Sequence, residues 1–228
     1  MKNVLTALFM VLMLVSYVAV KTANGRGHGP TPVVHPTPDP VPVSTKGRPL
    51  IQLALLLDTS NSMDGLIDQA RTQLWDLVNE FATAKRNGKS PLLQVALYEY
   101  GNLNLSAESG YIRRVLPLTD DLDKVSEALF ALQTRGGDEY CGQVIAAATK
   151  GLDWSPASAS LKAIYIAGNE PFTQGSVDFR HSCREASAAG IAVNTIYCGP
   201  YDKGISGSWK EGAVVARGAY ANKIGRAH

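Results

Sequence analysis

The segment that decides the fold is residues 50–62, which reads LIQLALLLDTSNS. Residues 50–57 are apolar except for Gln52, and a nearly continuous apolar run is typical of a strand buried on both faces of a parallel sheet. Apolar residues then recur at helical spacing over residues 66–85, which predicts an amphipathic helix. A buried strand, a short polar turn and a helix together indicate the beginning of an α/β domain.

The same alternation continues outward along the chain. Residues 92–100, 111–118, 161–167 and 191–197 predict further strands, and residues 122–132, 139–152, 177–189 and 209–216 predict helices. We expect Thr119 or Asp120 to cap the helix that carries Leu122. The order predicts an α/β fold, a doubly wound and mostly parallel sheet flanked by helices, with right-handed crossovers. Ligands of such sheets bind at the carboxyl ends of the strands.

The residues directly after the first strand are the most informative polar group. Asp58, Ser60 and Ser62 form the pattern D-x-S-x-S between a buried strand and a helix. In this context the sequence resembles the von Willebrand factor A (VWA) domain over about residues 50–222. In that family the pentapeptide opens the metal-ion-dependent adhesion site. A carboxylate and two hydroxyls are hard oxygen ligands that suit Mg²⁺, Mn²⁺ or Ca²⁺.

Two further loops depart from the family pattern. Where the family has a threonine after two glycines, this chain has Asp138, followed by Glu139; Thr134 precedes the glycines and does not take over that role. Where the family's third loop has an aspartate, this chain has Gly168, followed by Asn169 and Glu170. The resemblance implies Asp58, Ser60, Ser62 and Asp138 as metal ligands, with Glu139, Asn169 and Glu170 as further candidates. Two or more carboxylates would neutralise a divalent ion internally and weaken capture of an acidic partner.

The function expected from the resemblance is a binding module that recognises a protein partner at these loops, through a divalent cation or without one. A secreted metal-dependent hydrolase and a metal-free structural scaffold remain alternatives. No catalytic residue is predicted, because the serines lie outside a G-x-S-x-G elbow and His181 falls inside a predicted helix. The net charge of +2 gives no reason to expect nucleic acid.

The N-terminal residues predict export. Lys2 precedes an apolar run over residues 4–20, and small residues at 23–25 are typical of a signal cleavage site. Residues 1–25 are therefore predicted to be a signal peptide or, if uncleaved, an N-terminal membrane anchor. Residues 26–49 are rich in proline and predict an extended linker. The body would be secreted or periplasmic.

The cysteines and the C-terminus give two more expectations. An exported protein permits a disulfide, and Cys183 with Cys198 is the predicted pair, with Cys141 and Cys198 as the rival. A further strand is expected to begin within residues 218–222 and to be cut short. Residues 223–228, KIGRAH, resemble the translation of a sequencing adapter and are predicted to be a non-native tail.

Overall fold

The computed structural model describes residues 48–85 and 88–223. The predicted signal peptide or anchor, nearly all of the predicted linker and residues 224–228 of the predicted tail lie outside the described residues. None of the helices in the described ranges is both long and apolar enough to cross a membrane.

A sheet of six strands forms the centre of the domain, in the order β3-β2-β1-β4-β5-β6. The strands are β1 (Leu50–Asp58), β2 (Leu92–Tyr100), β3 (Ile112–Thr119), β4 (Leu161–Gly168), β5 (Ala192–Cys198) and β6 (Tyr220–Lys223). All neighbouring pairs are parallel except β2 with β3. The continuous apolar run of β1 is explained by its position, since it pairs with β2 on one side and β4 on the other.

Helices cover the sheet. They are α1 (Ile67–Thr83), α2 (Leu122–Ala131), α3 (Cys141–Gly151), α4 (Phe179–Ala188), α5 (Tyr201–Ser206) and α6 (Trp209–Val215). Short 3₁₀ turns lie at Asn61–Met63 and Ala107–Ser109. The predicted doubly wound α/β class is confirmed. Helix α5 is a structural finding that the sequence did not predict.

The capping residue of α2 and the first residue of α3 differ from the prediction for local reasons. The cap of α2 is Asp121, whose carboxylate accepts from the Lys124 N–H at 3.1 Å, and neither Thr119 nor Asp120 has this role. Helix α3 begins at Cys141, because the backbone of Tyr140 is not helical, with a ψ of 76°. In the loop before it, the Glu139 N–H donates to the Gln174 side chain at 3.2 Å. The carboxylate of Glu139 therefore lies in the loop before the helix.

The apolar core lies on both faces of the sheet. Alternate residues of the central strands, such as Leu56 and Ile166, share one buried cluster with residues of α3, α4 and α6. The intervening residues point to the other face, where the ring of Tyr165 packs edge-on at 6.3 Å against Phe81 of α1. The carboxyl ends of the parallel strands therefore meet at one edge, between two layers of helices.

The predicted disulfide is not present: Cys141, Cys183 and Cys198 are all free and buried. Cys183 belongs to the same core cluster as Tyr197, the residue before Cys198 in β5. Consecutive residues of a strand point to opposite faces, so Cys198 is turned away from Cys183. The prediction of a Cys183–Cys198 pair overlooked this alternation.

The expected C-terminal strand forms at one edge of the sheet. Tyr220, Ala221, Asn222 and Lys223 pair in parallel register with Thr195–Cys198 of β5. Strand β6 thus begins inside the predicted segment and includes Lys223, the first residue of the predicted tail.

Candidate functional site

The loops after β1, β2 and β4 converge at the carboxyl edge of the sheet. Parallel register places Asp58 beside Tyr100 and Leu57 beside Ala167, so the three strands end side by side. The loop before α3 closes over this edge. The Arg135 N–H donates to the Thr59 carbonyl at 2.8 Å, and the Asn102 amide donates to the Gln133 carbonyl at 3.0 Å.

Asp58 lies at the bottom of the candidate site with 1% of its surface exposed. Its Oδ1 accepts from the Ser60 N–H at 2.8 Å. Its Oδ2 is buried and has no hydrogen-bond partner among the described residues. Burial raises the pKa of Asp58 to about 7, against the lowering effect of its hydrogen bonds with Ser60. An ionised carboxylate is costly here unless a cation accompanies it.

The two serines and Asn169 form a chain of oxygen atoms above Asp58. The Ser60 and Ser62 hydroxyls are 2.9 Å apart, and the Ser62 hydroxyl donates to the Asn169 side-chain oxygen at 2.8 Å. The Asn169 amide donates back to the Ser62 carbonyl, also at 2.8 Å. Ser60 is buried and Ser62 is exposed, so the chain leads from the interior to the surface.

Glu139 brings a second carboxylate into the group, with only 7% of its surface exposed. Its pKa is raised, mainly by burial and also by Glu170 and Asp138, while a side-chain hydrogen bond with Ser60 opposes the shift. A Cβ placed on Gly101 would lie 3.0 Å from Asp58 Oδ1, 3.1 Å from Glu139 Cγ and 3.4 Å from Ser60 Cβ. The side chains of Asp58, Glu139 and Ser60 therefore lie close together beside Gly101.

The negative charge of this pair is not balanced by the described part of the protein. Within residues 48–85 and 88–223, no Lys, Arg or His forms an ion pair with Asp58 or Glu139. A neighbouring buried carboxylate, Glu99, does have such a partner, since the Arg113 guanidinium lies 2.6 Å away. Among the described residues, Asp58 and Glu139 therefore lack the kind of ion-pair partner that Glu99 has.

The other predicted ligands lie farther from the group. The Asp138 side chain is exposed and accepts from the Tyr140 hydroxyl at 2.9 Å. The Glu170 carbonyl accepts from the Trp209 indole N–H at 2.7 Å, and its carboxylate is near enough to raise the pKa of Glu139. The structure thus brings together Asp58, Ser60, Ser62, Glu139 and Asn169.

Gly168 explains why the third loop lacks an aspartate. A Cβ at this position would lie 2.6 Å from the Tyr100 hydroxyl oxygen and 2.9 Å from Asp58 Oδ2. A larger side chain has no room there, and the oxygen of Asn169, the next residue, reaches Ser62 instead. No pattern in the sequence indicates this close approach.

Asn102 is a residue of the site that sequence reasoning missed. Besides its bond to the Gln133 carbonyl, its amide donates to the Thr59 hydroxyl at 3.3 Å, and its side-chain oxygen accepts from the Asn104 N–H at 3.0 Å. Asn102 therefore ties three loops together. Its position directly after a strand and a glycine was the available signal.

No set of three or more His, Cys, Asp or Glu side chains suited to a metal occurs in the described ranges. A cation at the strand ends would therefore depend on hydroxyl and amide oxygens as well as on the two carboxylates.

Comparison with known proteins identifies the fold. No protein-family model and no curated protein matches this sequence. Solved structures do match. BatB from Bacteroides thetaiotaomicron is 17% identical, with a TM-score of 0.58 over 76% of this chain and 90% of that one. The SpRpn10 VWA domain is 13% identical, with a TM-score of 0.57 over 78% of this chain and 90% of that one.

A third match is the proximal thread matrix protein 1 from the mussel byssus, whose structure has a zinc-occupied MIDAS (metal-ion-dependent adhesion site) motif. It is 12% identical, with a TM-score of 0.57 over 77% of this chain and 42% of that one. The chain therefore has the fold of VWA domains, as the sequence predicted.

Proposed function

We propose that this chain is an exported binding module that recognises a protein partner at the strand-end loops, through a divalent cation held by Asp58 and its neighbours. Export rests on the sequence of residues 1–25. Recognition at the loops is supported by the VWA fold and by the convergence of polar side chains at the carboxyl edge of the sheet.

The observation that carries the proposal is the state of Asp58. Its Oδ2 is buried without a hydrogen-bond partner, and a second buried carboxylate, Glu139, lies beside it. Buried polar atoms in folded proteins nearly always have partners, and an exception calls for an explanation such as a bound ion. A divalent cation would satisfy the free lone pairs of Asp58 and balance both carboxylates.

The donor set fits such an ion. Carboxylate, hydroxyl and amide oxygens are hard ligands, which suit Mg²⁺, Mn²⁺ or Ca²⁺. Asp58, Ser60, Ser62, Glu139 and Asn169 would hold the cation. When bound, the cation would supply an electrophilic centre for an oxygen atom of the partner.

The chain's own residues prepare this position. The Ser60 N–H fixes one oxygen of Asp58, and the paired bonds between Ser62 and Asn169 fix the exposed end of the oxygen chain. Leu103 is 59% exposed. Its side chain lies near that of Asn61, as shown by the position of Gly136, where an added Cβ would contact both side chains. Leu103 would give the partner an apolar contact at the rim.

The test is the thermal stability of the purified chain in Mg²⁺, Mn²⁺ and Ca²⁺. A ligand that binds only the folded state stabilises it by about 2.7 kcal/mol at 100 times its dissociation constant. For a domain of this size that stabilisation raises the melting temperature by roughly 5–10 °C. We expect at least one cation to give such a shift, and Asp58→Ala to abolish it.

Asp123→Asn is the matched control. Asp123 is exposed in α2, which follows the antiparallel strand β3 and so begins at the opposite edge of the sheet. This variant should keep the full shift. If the wild-type chain responds to none of the three cations, the proposed cation-dependent recognition fails.

A further inference from the structure

The feature that decides what this site can recognise is the second buried carboxylate. Glu139 meets Asp58 and Ser60 over Gly101, and its backbone N–H is held by the Gln174 side chain. The glycines of the two loops permit this approach, since a Cβ on Gly137 would lie 2.6 Å from the Gly101 carbonyl oxygen. These contacts therefore hold Glu139 within the site.

The charges at the site follow from this placement. A divalent cation brings two positive charges, and Asp58 with Glu139 brings two negative ones. Asp138 and Glu170 lie close enough to Glu139 to influence its ionisation. With a divalent cation bound, the centre of the site therefore has no net charge, and its surroundings are negative. A site whose ligands are mostly uncharged hydroxyls would instead keep a net positive charge at the cation.

We propose that Glu139 determines the specificity of this site: its carboxylate supplies the second negative charge at the cation, so that the partner is held through an uncharged oxygen, such as a peptide carbonyl, and not through a carboxylate. This inference rests on the proposed function, because it requires a bound cation. An incoming carboxylate meets a site with no net positive charge and two further acidic side chains nearby, whereas an uncharged oxygen meets no such repulsion.

The test compares Glu139→Gln, which keeps the shape and removes the charge, with Asp138→Asn as the matched control. Asp138 is the adjacent acidic residue, and its side chain points to Tyr140. Cation affinity is measured by titration calorimetry. We expect Glu139→Gln to lose affinity by about tenfold or more, since affinity follows the number of charged ligands, and Asp138→Asn to lose much less.

Ligand preference is measured on the Mn²⁺-loaded proteins from the relaxation of water protons, which slows when a ligand displaces metal-bound water. The probes are sodium acetate and its uncharged analogue acetamide, at equal ionic strength. We expect the preference for acetate over acetamide to rise by about tenfold in Glu139→Gln relative to wild type. Asp138→Asn should change the preference much less, because the Asp138 side chain is exposed and its charge is screened by solvent.

Equal preferences in wild type and Glu139→Gln, or an equal change in Asp138→Asn, would overturn the proposal. Glu139→Ala repeats the measurement with a second replacement, and melting without cation checks that each variant folds. Removal of a buried charge should raise the cation-free melting temperature. If the wild-type protein binds no cation, the proposed function is wrong. If it binds a cation but Glu139→Gln behaves as the wild type does, the proposed function stands and only the role of Glu139 in specificity is wrong.

Discussion

Gly168 shows how tightly single residues are fitted around the site. The Tyr100 side chain, which is fully buried, donates its hydroxyl to the Ala167 carbonyl at 3.1 Å. Its hydroxyl oxygen and the Asp58 side chain occupy the space that any side chain at position 168 would need. A glycine at the end of β4 is therefore a packing requirement of the site.

Gly168→Ala is expected to destabilise the domain. The added Cβ would lie within 3 Å of two fixed buried oxygens, and overpacking of this kind costs about 1–3 kcal/mol. Urea unfolding measures the loss. The control is Gly151→Ala at the end of α3, whose Cβ would meet only the Tyr98 hydroxyl at 3.3 Å. A loss at Gly168 no larger than at Gly151 would contradict the described packing.

At the scale of secondary structure, the start of α3 decides which acidic residue enters the site. Had the helix begun at Glu139, as the sequence pattern suggested, Asp138 and Glu139 would be ordinary charges at its N-terminus. The helix instead starts after Tyr140, whose backbone is not helical, and the Glu139 N–H in the preceding loop donates to the Gln174 side chain. Glu139 is consequently buried, whereas Asp138 is exposed. Such a choice between neighbours depends on a contact from a distant loop.

The placement of α4 and β5 predicts that all cysteines remain thiols. Burial raises the pKa of Cys183 and that of Cys198 to about 12, and it raises the pKa of Cys141 as well. Little thiolate is then present at neutral pH, so the folded protein should react slowly with a thiol reagent. Denaturation without reductant should release three reactive thiols, the number in the sequence. Only one reactive thiol after denaturation would mean that a disulfide exists.

At the scale of the whole molecule, the fold was predictable and part of the site was not. Continuous apolar runs such as that of β1 identify buried parallel strands, and Asp58, Ser60 and Ser62 follow one of them directly. The strand alternation that separates Cys183 from Cys198 was also available in principle. The burial of Glu139 and the lack of space at Gly168 depend on loop contacts, which no periodic pattern encodes.

The central claim is that the strand-end oxygens hold a divalent cation, and anomalous diffraction from crystals grown with Mn²⁺ tests it most directly. We predict one anomalous peak beside Asp58 Oδ2, with Ser60, Ser62 and Glu139 around it, at roughly the 2.0–2.6 Å separations of hard-cation sites. A map with no peak at this position, and with Asp58 Oδ2 bonded only to water or to protein, would contradict the claim.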